Sequence, residues 1–382
     1  MDVPNRPSQP PFVVLTELEL LHFRNLVAQE LKFPPEGAAI VGDNAQGKTN
    51  LLEAVYYLET FRSFRGAADQ ELAAFSKPVF RVEARMVGGP VRAVAAAFDN
   101  TSRRKKVTVD GAEAVPLSSA LGNLAAVVFS PADVELIGGG PARRRRFLDV
   151  VLSLNAPGYV TALQRYRKAL SQRNAALKRG SSRTQVAAWD QSLSESGALV
   201  TASRRAWVLS SRDGFGDYYG IVSGGGSARL EYRSRLADRW EGDTGDLEAG
   251  LRALLDDAWT QDERLRTTTV GPHRDELLIS VDDGTGEVSA RAYGSGGQRR
   301  SAALALRLVE AATIRRARGV EPLLLLDDAF AELDDRRSSQ IMGLIASEST
   351  GQVIVTAPKR SDIDAFRGRL PEWNIQGGRV EA

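Results

Sequence analysis

The 382-residue chain has no cysteine and two histidines, His22 and His273. Without thiols it can form neither disulfides nor thiolate metal sites, and a histidine-rich metal centre is excluded as well. No apolar run approaches the roughly 18 residues of a membrane helix, and the polar, proline-rich start from Asp2 to Pro11 lacks the apolar core of a secretion signal. A cytoplasmic protein with no membrane partner is expected, with residues 1–12 as a disordered tail. An excess of one charge is also missing. The 50 Lys and Arg against 48 Asp and Glu leave a formal charge of +2, so any nucleic-acid surface must be local. Basic residues do concentrate at Arg103 to Lys106, Arg143 to Arg146, Arg165 to Arg179, Arg204-Arg205 and Arg299-Arg300. Each such run also fits a plain solvated helix face. With 43% hydrophobic residues the chain can bury one large core or two modest ones.

The most specific pattern present is Gly42-Asp43-Asn44-Ala45-Gln46-Gly47-Lys48-Thr49, two glycines four residues apart followed by Lys and a hydroxyl residue. The apolar run Ala38 to Val41 leads into it as a buried strand, and Asn50 to Leu58 follows with helical texture. Gly42 and Gly47 let the backbone turn tightly, so that N–H groups and a helix start face phosphates. Lys48 then reaches the β and γ oxygens, and Thr49 offers its hydroxyl to Mg²⁺. A glycine-rich loop with no nucleotide is the plain alternative.

Leu323-Leu324-Leu325-Leu326-Asp327-Asp328 has the form of a buried parallel strand whose end presents Asp327 to the metal and Asp328 to an attacking water. Taken alone it is equally a core strand with an acidic turn. Ser295-Gly296-Gly297-Gln298 precedes a run to Arg318 with Ala302, Leu304, Ala305, Leu308, Val309 and Ala312 at helical spacing, so it opens a helix of roughly 20 residues. Unpaired N–H groups at that start would bind an anion. The order is the specific signal: this loop, the Asp-Asp strand, Ala331-Glu332-Leu333-Asp334, then an apolar strand at Gln352 to Thr356. Two halves of one ATP site so far apart imply an ATP-switched dimer.

Four consecutive arginines sweep most of the way around a helix at about 100° per residue. With Leu148, Val151 and Leu152 as the apolar stripe, Arg144 falls on that face and Arg145 near its edge, while Arg143 and Arg146 point away. Arg144 is therefore expected to be partly buried against a carboxylate, and Arg143 and Arg146 are the DNA-binding candidates. Gln172, Arg173 and Asn174 are expected on three helix faces, so that they cannot all serve one site. Gly271 to Asp275 reads equally as a rigid turn and as a functional segment.

In this arrangement the chain resembles the ATP-binding cassette ATPases, within them the SMC-type head, and most of all the RecF family. The narrower stretches that carry the resemblance are Leu18 to Asn25, Ser130 to Gly139 running into Arg143 to Asp149, Gln172 to Lys178, Gly271 to Asp275, and Asp327-Asp328 with Glu332 to Asp334. It implies an α/β, ABC-type P-loop ATPase head with mixed sheets and an inserted helical lobe. ATP and Mg²⁺ would be held by Asn44, Gly47, Lys48, Thr49 and Asp327. Asp328 would orient water, and Ser295, Gly297 and Gln298 would close on the other subunit's γ-phosphate, with Asp334 at the same seam. Asp328 stands where the wider class has Glu, no His follows Thr356, and Gly294 replaces the Leu that often opens the signature, so hydrolysis is expected to be slow. The resemblance further implies an ATP-dependent homodimer on double-stranded or gapped DNA, acting in recombinational repair and replication by helping load RecA, with RecR and RecO as partners.

The head is expected at 13–116 and 223–382, split by a helical lobe at 117–222. Strands are expected within Val13 to Val41, at Phe80 to Val87, Val91 to Phe98 and Lys105 to Val109, and again at Arg229 to Arg233 and Leu277 to Val281. Helical texture starts near Leu117, and the longest helices span about 20 to 26 residues. Two other classes share the ATP site. A transporter motor has no need of the helical insert or the arginine run, and a defence-type nuclease ATPase usually adds an acidic metal-binding domain after the head.

Overall fold

The computed structural model describes residues 12–382 apart from 241, 285, 329–342 and 344–350. The expected tail up to residue 11 and the Ala331 to Asp334 segment lie outside the described residues. The chain divides into two compact units, Met1–Asp133 with Leu306–Ala382, and Val134–Ala305.

In the first unit the alternating run β1 (Val14–Leu21) pairs antiparallel with β2 (Gln29–Lys32) and with β4 (Val79–Val87). Strands β5 (Ala93–Asp99), β6 (Arg104–Val109) and β7 (Ala112–Glu113) complete a six-stranded sheet in the order β2-β1-β4-β5-β6-β7. The second sheet starts from β3 (Gly37–Val41) and uses β8 (Ala126–Phe129), β12 (Leu323–Asp327), β13 (Val353–Ala357), β14 (Glu372–Gln376) and β15 (Arg379–Glu381). Its order is β15-β14-β3-β13-β12-β8, parallel except for β15. Helix α1 (Lys48–Thr60) touches β4 and β5 of one sheet and β8, β12 and β13 of the other. Lying between two apolar faces, it is buried nearly all round from Leu51 to Thr60. Its two buried acids are both satisfied. Arg24 grips Glu53 at 2.8 and 3.0 Å, and Glu59 accepts from the backbone N–H of Leu124 and Ala125 at 2.8 and 3.0 Å.

The second unit holds α2 (Val134–Gly138), α3 (Pro141–Asn155), α4 (Tyr159–Arg179), α5 (Arg183–Ala187), α6 (Asp190–Ser223), α7 (Thr244–Asp257) and α8 (Trp259–Leu265). A small antiparallel sheet runs β11-β10-β9, from β9 (Ser227–Arg233), β10 (Glu276–Asp282) and β11 (Val288–Ser289). Helix α9 (Gly296–Arg318) begins in this unit and ends in the first.

Three expectations change. The lobe expected at 117–222 is instead the contiguous unit 134–305: β8 belongs to the parallel sheet of the first unit, while β9 and α7 pack on α6. The run Ala126–Phe129 is a fully buried strand where helical texture was expected, because four apolar residues carry no period of their own. Helix α6 reaches 34 residues. Gly214, Gly216 and Gly220 read as breakers, but the buried Phe215, Tyr218, Tyr219 and Val222 supply enough packing to carry the helix through them.

Buried arginines organise the second unit. Arg173, 1% exposed, donates to Asp190 at 2.7 Å, to Asp262 at 2.6 Å and to the Thr268 hydroxyl at 2.9 Å. Asn174 accepts from the N–H and hydroxyl of that same Thr268 at 2.8 and 2.7 Å. Two of the three neighbouring positions thus meet at one loop, because a long side chain and a short one reach it from adjacent faces, but the three do not all serve one site. Gln172 is exposed. Arg204 donates to Asp149 and to the Pro272 carbonyl, both at 2.7 Å.

Gly271 to Asp275 is a tied turn. Tyr232 donates to Asp275 at 2.5 Å, Arg145 to the Asp275 carbonyl at 2.9 Å and Arg274 to the Thr268 carbonyl at 3.0 Å. His273 Nε2 lies 3.0 Å from the Thr268 carbonyl, which can only accept, so the neutral ring carries its proton there and Nδ1 accepts from Tyr166 at 2.5 Å. Burial pushes this imidazole down to about 4, opposed by its bond to Thr268. A folded-state value below the unfolded one near 6.5 gives stability that is present at neutral pH and lost as pH falls towards 4. Between pH 7.5 and 5 the wild type is expected to lose at most about 2 kcal/mol more than His273→Gln, measured by urea unfolding. Equal losses would show that the ring does not control the turn.

Candidate functional site

The glycine-rich loop joins β3 to α1 with Gly47 at the helix cap, at a φ of 115° that favours glycine. A side chain there would also press on Leu26 and Asn25, at 3.0 and 3.1 Å from a Cβ. The loop is braced from outside. Asn25 donates to the Ala45 carbonyl at 3.1 Å, the Gln46 carbonyl accepts from the Gly378 N–H at 3.0 Å, and its side-chain oxygen accepts from the Gly377 N–H at 2.6 Å. Lys48 is buried, its ammonium folded back on the carbonyls of Gly42 and Asp43 at 2.7 and 3.2 Å. Gly42 is buried, whereas Asn44 is exposed at the loop tip.

Thr49 donates to Asp327 at 2.8 Å, and Thr356, at the end of the neighbouring strand β13, reaches the same oxygen at 3.2 Å. Burial pushes the Asp327 carboxyl up to about 6; the Thr49 bond opposes this and the charge of Asp328 adds to it. Asp328 sits at φ 44°, a left-handed conformation that short polar residues tolerate. Its N–H donates to the Thr356 carbonyl at 3.2 Å, while its Oδ1 is buried with no hydrogen-bond partner among the described residues. Burial raises this carboxyl too, with Lys48 opposing and Asp362 adding. The first unit thus brings Gly42, Gly47, Lys48, Thr49, Asp327 and Asp328 to one place at the carboxyl end of the parallel strands, where open α/β sheets bind ligands.

Ser295, Gly297 and Gln298 stand in the second unit. Ser295 caps α9: its hydroxyl accepts from the Gln298 N–H at 3.2 Å, and the Gln298 side-chain oxygen accepts from the Ser295 N–H at 2.7 Å, a reciprocal capping box. Gly294 has a steric cause, since a Cβ there would lie 2.5 Å from the Ala290 carbonyl oxygen. Arg299 folds back onto the Ala290 and Arg291 carbonyls at 3.0 and 2.9 Å. On α3, Arg144 is 3% exposed and pairs with Glu276 at 2.6 Å, as the helical wheel anticipates. Its neighbours Arg143 and Arg146 are exposed, and among the described residues Arg143 makes a loose ionic contact of 3.7 Å with Glu135. Sequence reasoning missed Thr356, Asn25 and Gln46, whose roles depend on strand adjacency and long-range contacts.

The family model for the RecF/RecN/SMC N-terminal domain matches residues 14–367. The DNA replication and repair protein RecF of Synechococcus sp. (strain JA-3-3Ab) is 38% identical over 372 residues, covering 95% of this chain and 94% of that protein. The chain belongs to the RecF family. A solved structure described as the recombination mediator protein RecF with ATP in the RecFOR pathway superposes with a TM-score of 0.88 at 28% identity, covering 99% of both chains. An Smc head domain from Pyrococcus furiosus shares the fold alone, with a TM-score of 0.56 at 18% identity and coverage of 97% and 96%. The RecF family comprises DNA replication and repair proteins built on the ABC-type head that SMC proteins also use, and the α/β architecture with mixed sheets is that head.

Proposed function

We propose that this chain is an ATP-switched homodimer that binds double-stranded or gapped DNA, hydrolyses ATP slowly to reset, and helps load RecA at gaps with RecR and RecO. The observation that carries the nucleotide half is the convergence of Thr49 and Asp327, oxygens 2.8 Å apart beside Lys48. Two hard oxygen donors at that spacing suit Mg²⁺, which when bound neutralises charge on the β and γ oxygens of the substrate ATP. Lys48 exchanges two loop carbonyls for phosphate oxygens. Gly42, Asn44 and Gly47 shape the cradle, and Asp328, with an acceptor oxygen to spare, orients the water. Ser295, Gly297 and Gln298 supply a polar helix start for the partner subunit's γ-phosphate, so ATP affinity and dimer affinity are linked. The solved RecF structure, described as belonging to the RecFOR pathway, and the resemblance to the family support this reading of the recombination partners; residue spacing does not bear on it.

DNA contact through phosphates by Arg143 and Arg146 is tested with a labelled duplex, with and without Mg²⁺ and ATP, over a salt series. Arg143→Ala with Arg146→Ala is expected to weaken ATP-dependent binding roughly tenfold and to flatten the log–log salt slope by about 1.8 per subunit. Unchanged affinity and slope would remove α3 from the DNA surface.

A further inference from the structure

The hairpin between β10 and β11 carries two adjacent carboxylates with different tasks. Asp282 builds the turn, accepting from the N–H groups of Gly284 and Gly286 at 2.8 and 3.0 Å. Asp283 turns away from it and accepts from the Gln298 side-chain Nε2 at 2.6 Å, while its other oxygen accepts from the hydroxyl of the buried Tyr219 on α6 at 3.3 Å. Gln298 is therefore held at both ends of its amide, its oxygen on the Ser295 N–H and its nitrogen on Asp283. Flipping that amide would set oxygen against carboxylate and NH₂ against N–H, so one orientation is fixed.

We propose that Asp283 is a positioning residue for the signature loop, holding the Gln298 amide so that it offers a remaining N–H, and never its carbonyl, to an incoming phosphate. This rests on the reading of Ser295, Gly297 and Gln298 as γ-phosphate contacts. In the fixed arrangement the Ser295 oxygen accepts from the Gln298 N–H, and its own proton is left to rotate towards an anion as a donor. Both side chains then present donors to an anion. An exposed carboxylate beside an anion site costs some repulsion, but solvent screens it, and the amide orientation it enforces outweighs that cost.

The test titrates dimerisation by light scattering at saturating Mg²⁺ and ATP. Asp283→Ala is expected to raise the half-dimer concentration about fivefold, by freeing the amide to rotate and flip. Asp283→Asn, which keeps an acceptor oxygen without the charge, should stay within about twofold of wild type. In a Gln298→Ala background Asp283→Ala should make no further difference. Dimerisation of Asp283→Ala equal to or tighter than wild type overturns the proposal, because repulsion would then dominate. If wild type itself does not dimerise, it is the signature reading that fails. Asp283 is then judged on the nucleotide-free protein by the Gln298 side-chain amide resonance, assigned by its loss in Gln298→Ala. A signal that shifts in Asp283→Ala sustains the positioning role, and an unmoved one overturns it.

Discussion

Lys48→Met and Ser295→Arg are both expected to remain monomeric with Mg²⁺ and ATP under conditions where the wild type doubles its mass by light scattering, and they should fail for different reasons. On the proposed reading Lys48 reaches phosphate from its buried position, where it satisfies two loop carbonyls. Hydrogen bonds to charged groups contribute about 1.5–3 kcal/mol, so its loss should weaken ATP roughly 10- to 150-fold. Because two sites close in one dimer, the linked loss in dimerisation is the square of that, on the order of 10² to 10⁴. Ser295→Arg leaves the nucleotide loop untouched and, at protein concentrations too low for dimers to form, should bind a fluorescent ATP analogue as tightly as wild type. It removes the hydroxyl that accepts from the Gln298 N–H and puts a bulky side chain in its place. Normal dimerisation by Ser295→Arg would mean that Ser295 to Gln298 is only a helix cap and takes no part in closing the dimer.

Arg173→Met should cost about 3–5 kcal/mol of stability, the usual consequence of breaking a buried pair from one side. Asp262 is fully buried, and without Arg173 its carboxylate keeps, among the described residues, the N–H and hydroxyl of Thr269, at 2.9 and 2.6 Å, against a full negative charge. Urea unfolding followed by tryptophan fluorescence reads this directly, since Trp189, Trp207, Trp240 and Trp259, four of the 5 tryptophans, lie in the second unit. Adding Asp262→Asn should restore part of the loss, because the stranded charge is gone. A change below about 1 kcal/mol in Arg173→Met would show that the network contributes little beyond packing.

What could be read from sequence was whatever is encoded locally. The glycine loop, its strand and its helix follow one another without interruption, and burial of Arg144 follows from 100° per residue alone. The length of α6 was hidden because glycine is a local breaker, while the packing that overrides it comes from residues far away. Strand β8 was hidden because its short apolar run fits either period, and with it went the lower boundary of the helical unit. Asp283, Asn25 and Thr356 carry no local signature at all. Each acts on a residue between 15 and 29 positions away, through pairing that only the folded sheet or hairpin creates.

The bracing of the nucleotide loop bears on how the protein is made. Gly377 and Gly378, which hold Gln46 in place, are synthesised about 331 residues after it. At roughly 5–20 residues per second, the loop waits about 15 to 65 s on the ribosome for its own support. The second unit, contiguous from Val134 to Ala305, can close meanwhile, whereas the first needs both of its separated pieces. Until Gly377 and Gly378 are made, a helical unit whose residues are all present is attached to a phosphate loop that lacks this part of its bracing, so a fully braced loop reports that translation has passed them.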